Sequence, residues 1–104
     1  MISNNLANEI AYLVLFASRH FDIDYDILVA LTQVESGFVV NVKGKAGELG
    51  LTQIMPTTFA EYSRGSLDNW RDLFIVSIEH LAKLKSIANG DQEWILAAIT
   101  PDII

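Results

Sequence analysis

The chain offers one carboxylate in a setting suited to acid catalysis. Glu35 closes the mostly apolar run Ile27-Leu28-Val29-Ala30-Leu31-Thr32-Gln33-Val34 and is followed at once by Ser36-Gly37-Phe38. A carboxyl group placed there is expected to be partly shielded from water. Shielding disfavours the charged form and raises the pKa, so the group keeps a proton to donate near neutral pH. Downstream stands a second distinctive segment, Gly50-Leu51-Thr52-Gln53-Ile54-Met55-Pro56. The Gln53 amide can both donate and accept hydrogen bonds. Gly47 and Gly50 suit backbone that must adopt positive φ or approach another group closely. Met55 fits a core as well as a cleft. Ser36 has a plain structural use, satisfying a carbonyl at a helix end. Glu48 is the second carboxylate best placed in sequence, on the loop between the two segments.

Positioning these groups calls for helices. Leu6, Ile10, Leu13, Val14 and Ala17 repeat at helical spacing, predicting a first helix over about 3–20 capped by Ser3 or Asn4. A turn over 21–24 brings the chain to Asp24, which can cap a second helix over about 25–35. Gly37 can end that helix in a left-handed conformation. Glu35 therefore lies near a helix C-terminus, where the macrodipole again disfavours a negative charge. Residues 38–50 read as an irregular loop, with Val39, Val40 and Val42 allowing a short β-hairpin. Pro56 suits the first turn of a third helix over 57–62. A long helix over about 70–88 follows, with Leu73, Val76, His80, Leu81 and Leu84 on or near one stripe. Asn89-Gly90 breaks it, and Asp91 can cap a last helix carrying Trp94, Ile95, Ala97 and Ala98. The fold class is mainly α, a small helical bundle with one irregular glycine-bearing loop.

Bulk properties narrow the field. With 104 residues, 51% of them hydrophobic, the chain suffices for one domain with a real core and is too short for two. A net charge of −6 argues against an electrostatic grip on nucleic acid or anionic membrane. The absence of cysteine removes disulfides and thiolate metal sites. Asp22, Asp24 and Asp26 read as turn and cap residues. His20 and His80 lack ligand-like spacing, so neither a metal nor a cofactor is expected. The apolar run 10–17 has no Lys or Arg before it and falls far short of the roughly 20 residues of a membrane span. It reads as a buried helix, without an export signal.

The two segments together resemble the lytic transglycosylase family, the lysozyme-like soluble-type transglycosylase domain related to goose-type lysozyme. Glu35, Ser36, Gly37 and Phe38 match its Glu-Ser-Gly segment, and Ala46-Gly47 match a small-residue pair in its loop. Gly50, Leu51, Gln53, Ile54, Met55 and Pro56 match its Gly-Leu-Met-Gln-Ile-Met-Pro segment, with Thr52 in the methionine position; Thr58 continues the match. The family commonly carries a small residue at the place of Glu48, Gly at that of Ser77 and Tyr near that of His80. Its third motif, Ala-Tyr-Asn-Ala-Gly, corresponds to Ala97-Ala98-Ile99-Thr100-Pro101, so Ile99 stands for the tyrosine and Thr100 for the asparagine.

The resemblance implies a lysozyme-like domain over 1–104, abbreviated at its C-terminus on one reading. It implies cleavage of peptidoglycan glycan strands at the MurNAc-β-1,4-GlcNAc bond, with Glu35 as the single general acid/base and 1,6-anhydro-MurNAc ends as product. Ser36, Gln53, Gly50, Leu51, Met55 and Glu48 become the candidate substrate contacts; Glu48 has the competing reading of a solvated loop charge. Hydrolysis of the same bond by a muramidase, and a non-catalytic glycan-binding or assembly module, are the alternatives. The cell wall is the expected site of action, within a phage particle or a cell-envelope assembly.

Overall fold

The computed structural model describes residues 4–87. The expected last helix, and Ile99 and Thr100 with it, lie outside the described residues. Among the described residues the fold is mainly helical: α1 (Asn4–His20), α2 (Tyr25–Ser36), α3 (Pro56–Ala60) and α4 (Trp70–Ile87).

Helix α1 buries Ile10, Val14 and Ala17, the stripe expected from their spacing. It ends in a tight turn in which Phe21 N–H donates to Ala17 O and the Ser18 hydroxyl donates to Ile23 O at 2.7 Å. Asp22 takes φ 54° at this corner, and Lys85 Nζ on α4 donates to its carbonyl. Asp24 then caps α2, its carboxylate accepting from Asp26 N–H at 2.8 Å. At the other end Gly37 adopts φ 61° and its N–H donates to Gln33 O. Both ends of the helix that carries Glu35 are thus fixed by the residues whose chemistry predicts them.

Helix α4 departs from the single stripe expected of it, because it is buried on two sides. Phe74, Ile78 and Leu81 pack with Leu28, Leu31 and Leu51 and with the α1 stripe. Leu73 and Val76 pack instead with Ile54 and Phe59, next to α3. His80 and Leu84 lie at the border and are only partly buried. An exposed ion pair between Arg71 and Glu9 joins α4 to α1, and the guanidinium holds the Glu9 carboxyl below the usual carboxylate range.

Two other expectations are corrected. Helix α3 begins at Pro56 but ends at Ala60. Residues 61–63 close it with i→i+3 bonds, Glu61 N–H to Thr58 O, Tyr62 N–H to Phe59 O and Ser63 N–H to Ala60 O. The valines at 39, 40 and 42 form no hairpin. The loop instead makes isolated bridges, Lys43 with Leu49 and Leu49 with Ile54. Positive φ at Gly47, Gly50 and Gln53 turns the chain too often for a ladder to extend.

Candidate active site

The end of α2 and the irregular loop carry the candidate groups. Glu35 is the penultimate residue of α2 and is half-buried. Burial, and after it the charge of Glu48, raise its pKa from 4.5 to about 7. The expected upward shift has burial as its main cause, with a neighbouring carboxylate as the second.

Ser36 is committed to the helix end. Its hydroxyl donates to Thr32 O at 3.2 Å and accepts from Phe38 N–H at 3.1 Å. This fixes the backbone directly after Glu35.

The loop is held by a dense set of local bonds. Gly44 N–H donates to Glu48 O at 2.8 Å, and Ala46 N–H donates to Glu48 Oε1 at 2.7 Å. Gly50 N–H donates to Val42 O, while Gln53 Nε2 donates to Gly50 O at 2.9 Å and Val42 O at 3.3 Å. Both Gln53 amide hydrogens therefore serve the loop, and its Oε1 faces the bare Cα of Gly44. A Cβ on Gly44 would lie 2.5 Å from Gln53 Oε1 and 2.8 Å from Glu48 Oε2. Sequence reasoning missed this use of Gly44. The glycine-rich loop was its only signal, because the crowding comes from residues that meet only after the chain turns.

Gly44→Ala should therefore displace the Gln53 and Glu48 side chains while leaving the helical core intact. Helical circular dichroism should be preserved while the melting temperature falls, because a Cβ at position 44 forces both side chains out of place. A melting temperature equal to the parent's would show that the loop accommodates the Cβ without cost.

The other candidates divide between floor and support. Gly50 is buried with φ 83°, and a Cβ there would sit 3.3 Å from Leu73 Cδ1. Leu51, a candidate substrate contact by resemblance, is fully buried in the core beneath the loop. Met55 is partly exposed and borders a cavity of about 150 Å³ shared with Leu31, Thr52, Gln53, Ser77 and His80. Leu31 lies one turn before Glu35 on α2, while Glu35 itself is not among the residues that line the cavity. A larger hollow, about 350 Å³, is formed by Tyr12, Leu15, Phe16, Arg19 and His20 on α1 alone. This hollow shares no residue with the end of α2 or with the loop.

Two positions at which the sequence departs from the family pattern meet in the smaller cavity. Thr52 Oγ1 donates to Ser77 Oγ at 2.7 Å, tying the loop to α4. Beside them Tyr62 Oη and His80 Nδ1 lie 2.8 Å apart, with the rings edge to face. Burial lowers the His80 pKa, so this imidazole is neutral at neutral pH.

Among the described residues no group of three or more His, Cys, Asp or Glu side chains is arranged to hold a metal ion. No helix among them is long and apolar enough to cross a membrane.

Comparison with known proteins adds one finding. The family described as the transglycosylase SLT domain matches residues 13–99, which include α2, the loop and α4. Curated proteins and solved structures give no match. A match over most of the chain, with a half-buried carboxyl at the end of α2, places this chain in the transglycosylase SLT domain family, of lytic transglycosylase type and lysozyme-like fold.

Proposed function

We propose that this chain cleaves the β-1,4 bond between N-acetylmuramic acid and N-acetylglucosamine in peptidoglycan, with Glu35 as general acid and then general base. The observation that carries the reading is the half-buried Glu35 carboxyl at the end of α2, raised to about 7 by burial and by the charge of Glu48 on the loop. Protonated Glu35 gives its proton to the glycosidic oxygen as the C1–O bond breaks. The substrate's own N-acetyl oxygen bonds to C1 in its place. The muramoyl C6 hydroxyl then attacks C1, its proton passes to the Glu35 carboxylate, and the N-acetyl group is released. A 1,6-anhydro ring results, and Glu35 is again protonated. One titratable protein group suffices for this sequence.

In this reading Gln53 offers Oε1 to a sugar hydroxyl or amide, and Met55 offers an apolar surface to a ring face. Ser36, Gly50 and Leu51 act by holding α2 and the loop in place. Purified sacculi incubated with the protein should release anhydro-muropeptides, identified by mass. Sacculi that bind the protein and release no product would overturn the enzyme reading in favour of a glycan-binding module.

The acid form of Glu35 is required for the first step. Initial rates should therefore fall as pH rises through about 7. A rate that keeps rising well above that pH would exclude Glu35 as the donor.

A further inference from the structure

We propose that the cavity between α4, α2 and residues 52–55 is a glycan subsite that takes an N-acetyl group, with Ser77 and His80 as the residues that select for it. The inference rests on the peptidoglycan reading above and adds a specificity to it. The acetamido group that bonds to C1 during cleavage is engaged there, so the occupant belongs to another sugar of the strand.

Size and lining both point to this occupant. The cavity measures about 150 Å³. That is room for about five waters at roughly 30 Å³ each, and an acetamido group has four non-hydrogen atoms. Its α4 wall is one helix face, Ser77, His80, Leu81 and Leu84, at i, i+3, i+4 and i+7. The polar groups stand towards one end and the leucines towards the other, where Leu31 of α2 adds to the apolar part. Among the described residues no charged side chain lines the cavity. A carboxylate would enter it without a counter-charge, and a bare sugar hydroxyl would leave the leucine end empty. A neutral amide carrying a methyl group matches both ends.

The polar end is held ready by hydrogen bonds. Thr52 is buried and its Oγ1 donates to Ser77 Oγ at 2.7 Å, which leaves Ser77 an acceptor lone pair for an amide N–H. Tyr62 Oη lies 2.8 Å from His80 Nδ1, and Tyr62 is not part of the lining. The imidazole nitrogen is the stronger acceptor, so the phenol donates to Nδ1 and the proton of the neutral ring sits on Nε2. Nε2 has no hydrogen-bond partner among the described residues, and no buried side-chain nitrogen or oxygen among them lacks one, so Nε2 is open to solvent. It can donate to an amide carbonyl while Ser77 Oγ accepts from the amide N–H. Positions three apart on a helix lie about 5–6 Å from each other at Cβ, which suits two groups that grip opposite edges of one amide.

The test compares two neutral β-1,4-linked oligomers, the tetramer of N-acetylglucosamine and the tetramer of glucose, which carries a hydroxyl in place of each acetamido group. NMR titrations of the full chain follow the methyl groups of Leu31 and Leu84 and the ring nitrogens of His80. The acetylated oligomer should bind about tenfold more tightly or better, and it alone should shift the Leu84 methyls and Nε2. His80→Phe keeps a ring and loses the donor. Its affinity for the acetylated oligomer should fall about tenfold, the loss of one hydrogen bond, with the glucose oligomer unaffected. A merely structural role for His80 would lower both affinities together. If His80→Phe melts below the titration temperature, the comparison of the two oligomers on the parent still decides. Equal affinities, an unchanged preference in His80→Phe, or no binding of either oligomer would overturn the subsite. Muropeptide release from sacculi in any of those cases would leave the cleavage reading standing, and its absence would overturn both.

Discussion

Glu35→Gln should abolish release of soluble muropeptides from sacculi, with a rate loss of about 10²–10⁴-fold, the range for removing a general acid. The amide matches the carboxyl in shape, so packing at the end of α2 is retained and the loss isolates the proton. The same variant should be more stable than the parent at high pH. The sign follows from the raised pKa: burial favours the protonated form in the folded state, while the unfolded chain ionises near 4.5. Below 4.5 both states hold the proton and Glu35 costs nothing. Between 4.5 and about 7 the unfolded state is stabilised by ionising, so stability contributed by the neutral group is lost as pH rises, and above about 7 the loss is complete. Thermal melts of parent and variant should therefore diverge above 4.5, with the variant higher, and coincide below it. A variant that retains cleavage, or that melts no higher than the parent above pH 7, would contradict the assignment.

Phe74→Ala should be the most damaging single core truncation, at about 3–5 kcal/mol. Phe74 is fully buried where α4 packs against the α1 stripe and the Leu28 and Leu31 face of α2. Removing the ring leaves a void among residues of three helices, which cannot all move inward together. Domains of this size are stable by about 5–15 kcal/mol, so the loss would consume much of the margin. Urea denaturation followed by circular dichroism should show a midpoint shifted sharply down with a similar slope. A cost below about 1 kcal/mol would mean that the interior closes over the gap, contrary to this packing.

The parts legible in the sequence are those fixed by local chemistry. The α1 stripe follows from helical spacing, Asp24 from capping, and the end of α2 from Gly37. The raised Glu35 pKa was legible because an apolar helix end predicts shielding. The loop was less so. Gln53 is oriented by Gly50 O and by Val42 O, and Thr52 by Ser77; Val42 and Ser77 stand 11 and 25 positions away and become neighbours only once the chain has turned and packed on α4. Leu51 illustrates the same limit. A motif position shows that a residue is needed, and the fold decides whether it serves the cleft or the core beneath it. For α4 a one-face pattern was the wrong template, since Leu73 and Phe74 belong to different clusters on adjacent sides.

The hydrogen bond between Thr52 and Ser77 bears on how such a sequence can change over time. Each hydroxyl is the other's partner across 25 positions of sequence, and Thr52 is only 8% exposed. Restoring the methionine or the glycine usual in the family one at a time would leave the remaining hydroxyl without its partner in a confined space, at a cost of about 1–3 kcal/mol. Each single reversion then crosses a valley that the double reversion avoids. The Met–Gly pair and the Thr–Ser pair are two separate solutions, and exchanging one for the other a residue at a time passes through a less stable intermediate. The loop bearing Gln53 is in this way locked to its own version of α4, and a loop transplanted from a relative would not fit unless position 77 travelled with it.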